Sequence, residues 1–395
     1  MPTKTQKDET KKIPKLRFPG FSGIWEEKKL AEVADFLKGK GISKEEISED
    51  GINKCIRYGE LYTEYKEIIK DVKSKTNVLK KDSLESEKDD VLIPSSGETA
   101  LDIATTSCVR ESGILLGGDL NVLRLRKQDG IFFAYNLSNF QNRNIARLAQ
   151  GNSVVHLYAS NLKSLKINLP SLPEQQKIAS FLGSVDSWIE NLRAQKENLE
   201  SYKKGMVQKI FSQKVRFKDD SGEEFPEWEE KKLGDCLDYE QPTSYIVKST
   251  EYNDSFKTPV LTAGKTFILG YTDETDHVYK NDLPVIIFDD FTTTSQFVNF
   301  PFKVKSSAIK ILKAKDGCDI KYMFEIMQQI KYEIGGHGRH WISKFSNLNV
   351  FVPVLPEQQK IADFLTSVDK VIESKQQQIT QAEFWKKGLM QGLFV

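Results

Sequence analysis

Asp289 and Asp290 follow the apolar run "LPVIIF" (283–288), and two carboxylates at a strand end are one way to hold the metal of a nuclease. That chemistry also wants an acid-x-Lys on the following strand. The next strand-like run is "FKVK" (302–305), which has no acid at that spacing. His337 and His340 flank Arg339 in "GGHGRHW", but no further ligand accompanies them. Three glycines make this a mobile basic-aromatic loop, better suited to phosphate or base contact. "LTAGKT" (261–266) imitates the end of a phosphate loop, yet Pro259 stands where that loop needs glycine. There is no glycine-rich methyltransferase cofactor loop, no Asp/Asn-Pro-Pro-aromatic site, and no supported Ser/His/Asp or Cys/His arrangement. These residues describe a binder.

The candidate contacts come in pairs. Val91-Leu92-Ile93 matches Val285-Ile286-Ile287, and the loops that follow are different: "PSSGET" in one place, "FDDFTT" in the other. A shared frame carrying two rewritten polar loops is what two recognition surfaces need. Ser95, Ser96, Glu98 and Thr99 are the candidates in the first loop, with Asp289, Asp290, Thr292 and Thr293 in the second. Carboxylates accept from cytosine N4, and hydroxyls contact several base edges. Arg57 and Tyr58 in "CIRYGELY" and Lys265 in "TAGKT" occupy a second pair of matched turns. Arg339 is the candidate for guanine or phosphate.

What must position these loops is repeated as well. "LPEQQKIASFLGSVDSWIE" begins at Leu172 and "LPEQQKIADFLTSVDKVIE" at Leu355, identical at fifteen of nineteen positions. "WEEKKL" occurs at Trp25 and again at Trp228. After each proline-containing start, apolar residues alternate by four and three. The first seam is Ile178, Leu182, Val185, Ile189, Leu192, Leu199, Met206 and Ile210, with Lys196 and Lys203 interposed. The second is Ile361, Leu365, Val368, Ile372, Ile379, Leu389 and Leu393, with Lys375, Ala382 and Lys386 interposed. A sustained 3.5-residue period calls for a left-handed coiled coil. Neither helix can bury its seam alone. The simplest partner is the other copy, antiparallel, with the seam lysines fixing register. Trp188, Gln175, Gln176, Gln358 and Gln359 are expected to face outward.

The chain of 395 residues exceeds one ordinary domain, and its 39% hydrophobic and 29% charged content suits two sizeable cores. The reading is a polar disordered tail over 1–20, variable mixed α/β domains over 21–169 and 213–352, and helices over 170–212 and 353–395. "HLYASNLKSLKINLP" and "RHWISKFSNLNVFVP" read as closing strands that pack back before each helix. No apolar run reaches membrane-spanning length, and four scattered cysteines fit a reduced cytoplasmic protein. Net charge is +1, so nucleic-acid contact must come from local patches or be shared with partners.

A "WEEKKL" start, a variable domain, "LPxLPEQQKIA" and a long helix, all stated twice, resemble the specificity (S) subunit of type I restriction-modification enzymes. The resemblance implies an α+β protein. Two mixed α/β target recognition domains in pseudo-two-fold arrangement would be joined by two long conserved helices forming an antiparallel coiled coil. It implies that each domain reads one half of a bipartite double-stranded DNA site, and that the helices set the spacing and dock two modification (methyltransferase) subunits. S-adenosylmethionine would sit on those subunits, and ATP and magnesium on two restriction (translocase/nuclease) subunits. The chain itself would hold no cofactor or metal and catalyse nothing. The competing readings are a stand-alone DNA-binding regulator and a coiled-coil protein-interaction adaptor.

Overall fold

The computed structural model describes residues 12–151, 154–263, 266–331 and 340–395. The chain divides into two compact units, 1–194 with 377–395, and 195–376. Each long helix therefore contributes one end to each unit.

In the first unit the "WEEKKL" segment forms strand β1 (Glu26–Lys29) and a single helical turn that leads into β2 (Ala34–Lys38). β3 (Val91–Pro94), β4 (Ser107–Val109) and β5 (Leu120–Leu125) follow, then helix α1 (Gly130–Tyr135), β6 (Lys166–Leu169) and helix α2 (Leu172–Phe211). The main sheet has the order β2-β5-β3-β4, with Ile68–Ile69 at its edge. Val91, Leu92 and Ile93 are wholly buried at its centre, as a strand covered on both faces must be. A smaller sheet joins Lys75–Thr76, Asn53–Ile56, Leu115–Leu116 and Leu84–Glu85. β6 is the closing strand, and it closes on β1: Glu26 lies opposite Leu169 in an antiparallel pair.

The second unit repeats this plan. β7 (Glu229–Lys232) pairs antiparallel with β12 (Asn349–Val352). β8 (Leu237–Glu240), β9 (Val285–Asp289), β10 (Ser295–Val298) and β11 (Ile309–Ala314) form a sheet in the order β8-β11-β9-β10. The matched register is preserved, since Leu92 pairs with Val122 in one sheet and Ile286 with Leu312 in the other. Helix α3 (Ile320–Met327) stands where α1 stands, and α4 (Leu355–Leu393) where α2 does. Both short helices start on an aspartate whose carboxylate accepts from the backbone N–H of the third helical residue: Asp129 from Phe132, Asp319 from Tyr322.

α2 has 40 residues and α4 has 39. In the first unit Ile178 and Leu182 share a core with Met390, Leu393 and Phe394, while Val185, Ile189 and Leu192 meet Ile379, Ala382 and Leu389. Rising numbers in one helix meet falling numbers in the other, so the pairing is antiparallel. In the second unit Ile361 and Leu365 share a core with Met206, Val207 and Ile210. Val368 is buried; Leu199 and Ile372 are half-buried. Fully burying one such side chain contributes about 1.5–3 kcal/mol, so the half-buried Leu199 and Ile372 contribute less.

The disordered tail expected over 1–20 needs correcting for its second half. Leu16 N donates to Gly392 O at 2.9 Å, Arg17 binds Glu174, and the Phe18 ring meets Phe181 edge-on at 5.3 Å. Leu16 reaches the helix end because residue 392 is glycine: a Cβ there would lie 2.6 Å from Leu16 Cδ1. Residues 1–11 lie outside the described residues. Among the described residues no helix is long and apolar enough to cross a membrane.

Candidate nucleic-acid interface

The start of each long helix is pinned to its own domain by one repeated device. Gln175 accepts from Asp129 N at 3.1 Å and donates to Pro170 O at 3.0 Å. Gln358 accepts from Asp319 N at 2.8 Å and donates to Pro353 O at 2.8 Å and Gly317 O at 3.1 Å. Gln175 and Gln358, expected to face outward, are each 1% exposed; Gln176, Gln359 and Trp188 are exposed as expected. Beside them Glu174 takes a bidentate pair from Arg17, and Glu357 takes one from Arg216 plus the indole N–H of Trp228. A buried carboxylate must be paired this way or cost several kcal/mol. These ties fix the start of each long helix against its own domain.

In the first unit Arg57, Tyr58 and Tyr62 line an open cleft of about 630 Å³, together with Lys44, Glu46, Glu60, Gly118 and Asp119. Ser95 lines an adjoining hollow of about 390 Å³ with Lys38, Asn121, His156 and Tyr158, and Asp119 borders both. The His156 and Tyr158 rings stack at 6.3 Å. Glu98 and Thr99 are exposed, and Thr99 Oγ1 donates to Asp102 Oδ2 at 2.6 Å, shaping the turn. Ser96 is a correction: it is buried in the short strand Ser96–Gly97, which pairs with Val155–His156, so it offers no edge to DNA.

The second loop departs further from expectation. Asp289 is buried and accepts from Phe291 N at 2.9 Å and from the Thr292 hydroxyl, so both residues are spent on the turn. Thr293 takes a left-handed conformation at φ 60° in that turn. Asp290 is buried beside Lys310 Nζ at 3.3 Å and accepts from Trp341 N at 2.8 Å. Asp289 and Asp290, expected to face a base edge, are thus engaged in holding the loop. The hollow here measures only about 40 Å³, with Phe267 among its lining. Lys265 and Arg339 lie outside the described residues.

Tyr62, Asp119, His156 and Tyr158 were missed by the sequence reading. Only Tyr62 left a signal, four residues after Tyr58. Cys236 lies in the core of the second unit, and Cys318 packs against that core. Hydrogen bonding from Cys236, aided by Lys231 and Lys315, lowers Cys318 to about 7 against the opposing effect of burial. Among the described residues no three His, Cys, Asp or Glu side chains gather as metal ligands.

Two units on one plan, pinned to paired helices and carrying dissimilar loops and hollows, define a two-headed recognition protein. The family model described as "Type I restriction modification DNA specificity domain" matches residues 23–201 and 226–383, and the chain belongs to that family. It is 42% identical over 146 residues to the type I restriction enzyme EcoR124I/EcoR124II specificity subunit of Escherichia coli, a match spanning 36% of each chain. It is 26% identical to the type I restriction enzyme MjaVIII specificity subunit of Methanocaldococcus jannaschii, over 93% of this chain and 91% of that one. The fold matches a crystal structure of the type I restriction-modification S subunit from M. genitalium with TM-score 0.67, covering 97% of this chain and 99% of that one at 17% identity.

Proposed function

We propose that this chain chooses the DNA sequence on which a type I restriction-modification complex acts. Each unit reads one half of a bipartite, asymmetric site. The paired helices set the spacing and dock two methyltransferase subunits, with two restriction subunits in the full complex. The chain is non-catalytic; S-adenosylmethionine belongs to the methyltransferase subunits, and ATP with magnesium to the restriction subunits. The observation that carries this reading is the repeat itself: the pins at Gln175 and Gln358 are the same, while the loops after the matched strands differ, Ser95 lining an open hollow in one and Asp289 and Asp290 buried in the other. Equal mounting with unequal recognition surfaces is what an asymmetric two-part site requires.

The test is methylome sequencing. The chain is expressed with its candidate modification subunit in cells lacking other adenine methylation, beside the modification subunit alone. A two-part methylated motif that appears only with this chain supports the reading. A stable complex that yields no new motif overturns it.

A further inference from the structure

We infer that the cleft around Arg57 reads the major-groove edge of one G·C pair, with Arg57 on guanine and Asp119 on cytosine. This rests on the DNA-reading function proposed above and assigns it a site.

Arg57 leaves the strand Asn53–Ile56 in a turn locked from within. Its backbone N donates to Glu60 Oε2 at 2.8 Å, and Glu60, itself buried, also accepts from the Ser74 hydroxyl. The same carboxylate lies 3.7 Å from Arg57 Nη2, near enough to orient the guanidinium and too far to saturate it. Arg57 Nε is buried with no hydrogen-bond partner among the described residues. With Nε closed off from solvent, the terminal guanidinium nitrogens of a side chain 26% exposed are the donor pair left for a planar acceptor pair, and guanine O6 and N7 are such a pair.

Asp119 is brought to the same cleft by a glycine turn. Gly117 N donates to Ile56 O at 2.9 Å, and Gly118 N to Gly41 O at 2.6 Å. A Cβ on Gly117 would stand 3.2 Å from Ile56 O, so the two turns approach closely here. Asp119 follows at φ 57°, exposed, its carboxylate without a partner among the described residues. A carboxylate accepts from cytosine N4 as the arginine fork donates to guanine. Phosphate is the rival acceptor for Arg57. The carboxylates of Glu46, Glu60 and Asp119 outnumber Arg57 and Lys44 on the same walls and oppose it, whereas a base-pair edge carries no net charge. The Tyr58 and Tyr62 rings, 6.4 Å apart, add apolar walls.

The experiment repeats the methylome measurement on the complex with Arg57→Ala, Arg57→Lys and Asp119→Ala. Arg57→Lys keeps the charge and loses the fork, so it decides the matter if the alanine variant fails to assemble. All three are expected to lower preference for the same G·C pair about ten- to a hundredfold, leaving the other half-site untouched. An unchanged motif in the variants, a uniform weakening without changed sequence choice, or effects at different base pairs each overturns the inference. A wild-type complex that yields no two-part motif overturns the proposed function instead.

Discussion

Lys386 Nζ lies 2.7 Å from Asp186 Oδ1. The relation is repeated 183 residues earlier in the lysine and later in the aspartate: Lys203 Nζ lies 2.7 Å from Asp369 Oδ1. Both lysines occupy seam positions where an apolar residue would pack. Each also reaches a glutamate of the domain, Glu67 and Glu325 respectively. The polar breaks in the seam thus join helix to helix and helix to domain. Replacing Lys386 by Met leaves Asp186 without its cation, and is expected to cost about 1–3 kcal/mol. Thermal melting of the variant checks this, and an unchanged midpoint would show that the pair does not hold the register.

The second copy of this pair predicts a pH effect. Burial alone would raise the Asp369 carboxyl, but hydrogen bonds from Lys203 and Lys321 outweigh it and hold it below 3.8. A carboxyl lowered in the folded state stabilises above its ordinary value, and that gain is lost as pH falls below 3.8. Wild-type protein should therefore lose more melting temperature between pH 6 and pH 3 than Asp369→Asn does. Equal losses would contradict the assignment.

Gln358→Ala removes one acceptor and two donor contacts at the foot of α4 and leaves Asp319 N and two carbonyls unpaired. The expected cost is about 2–3 kcal/mol, with Gln175→Ala costing a similar amount at the foot of α2. Gln359→Ala, on the exposed side, should change little. Denaturant midpoints for the three variants separate these outcomes.

Cys318 should be the most reactive thiol. Contact with Cys236 lowers it to about 7, while burial pushes Cys55 up to about 11 and raises Cys108 further. The thiolate is the nucleophile, so Cys318 labelling should set in at a lower pH than labelling of Cys55 or Cys108. Peptide mass mapping after brief alkylation reads this directly, and first modification at Cys55 would refute it.

Deleting seven residues from each long helix between its two core-bearing ends keeps every seam position in phase. The expected product is a complex that methylates the same half-sites at a different separation. Methylation at the original separation would remove the helices from the role of ruler.

Repetition, heptads and the closing strands were legible because each is written locally or copied verbatim. The antiparallel pairing followed from two matched seams in one chain. The pins were not legible. Glutamine ordinarily belongs on the surface, and Gln175 is buried only because its amide matches Asp129 N and Pro170 O. Asp290 looked like a free carboxylate because its cation, Lys310, lies one strand away with no fixed spacing. Arg57 and Asp119 are 62 residues apart, and only the parallel pairing of Leu116 with Ile56 brings their turns to one cleft. The ordered stretch at Arg17 was hidden for the same reason, since its partner Glu174 lies 157 positions away.

The core of the first unit includes Met390, Leu393 and Phe394. On the ribosome, residues 21–169 emerge long before those three side chains exist. Until synthesis has passed the whole of the second recognition domain, the first lacks these three side chains, and Phe132 lacks its ring contact with Phe394. A message cut short within α4 yields a first domain whose core lacks one wall. Neither head is finished until nearly the whole chain has been made.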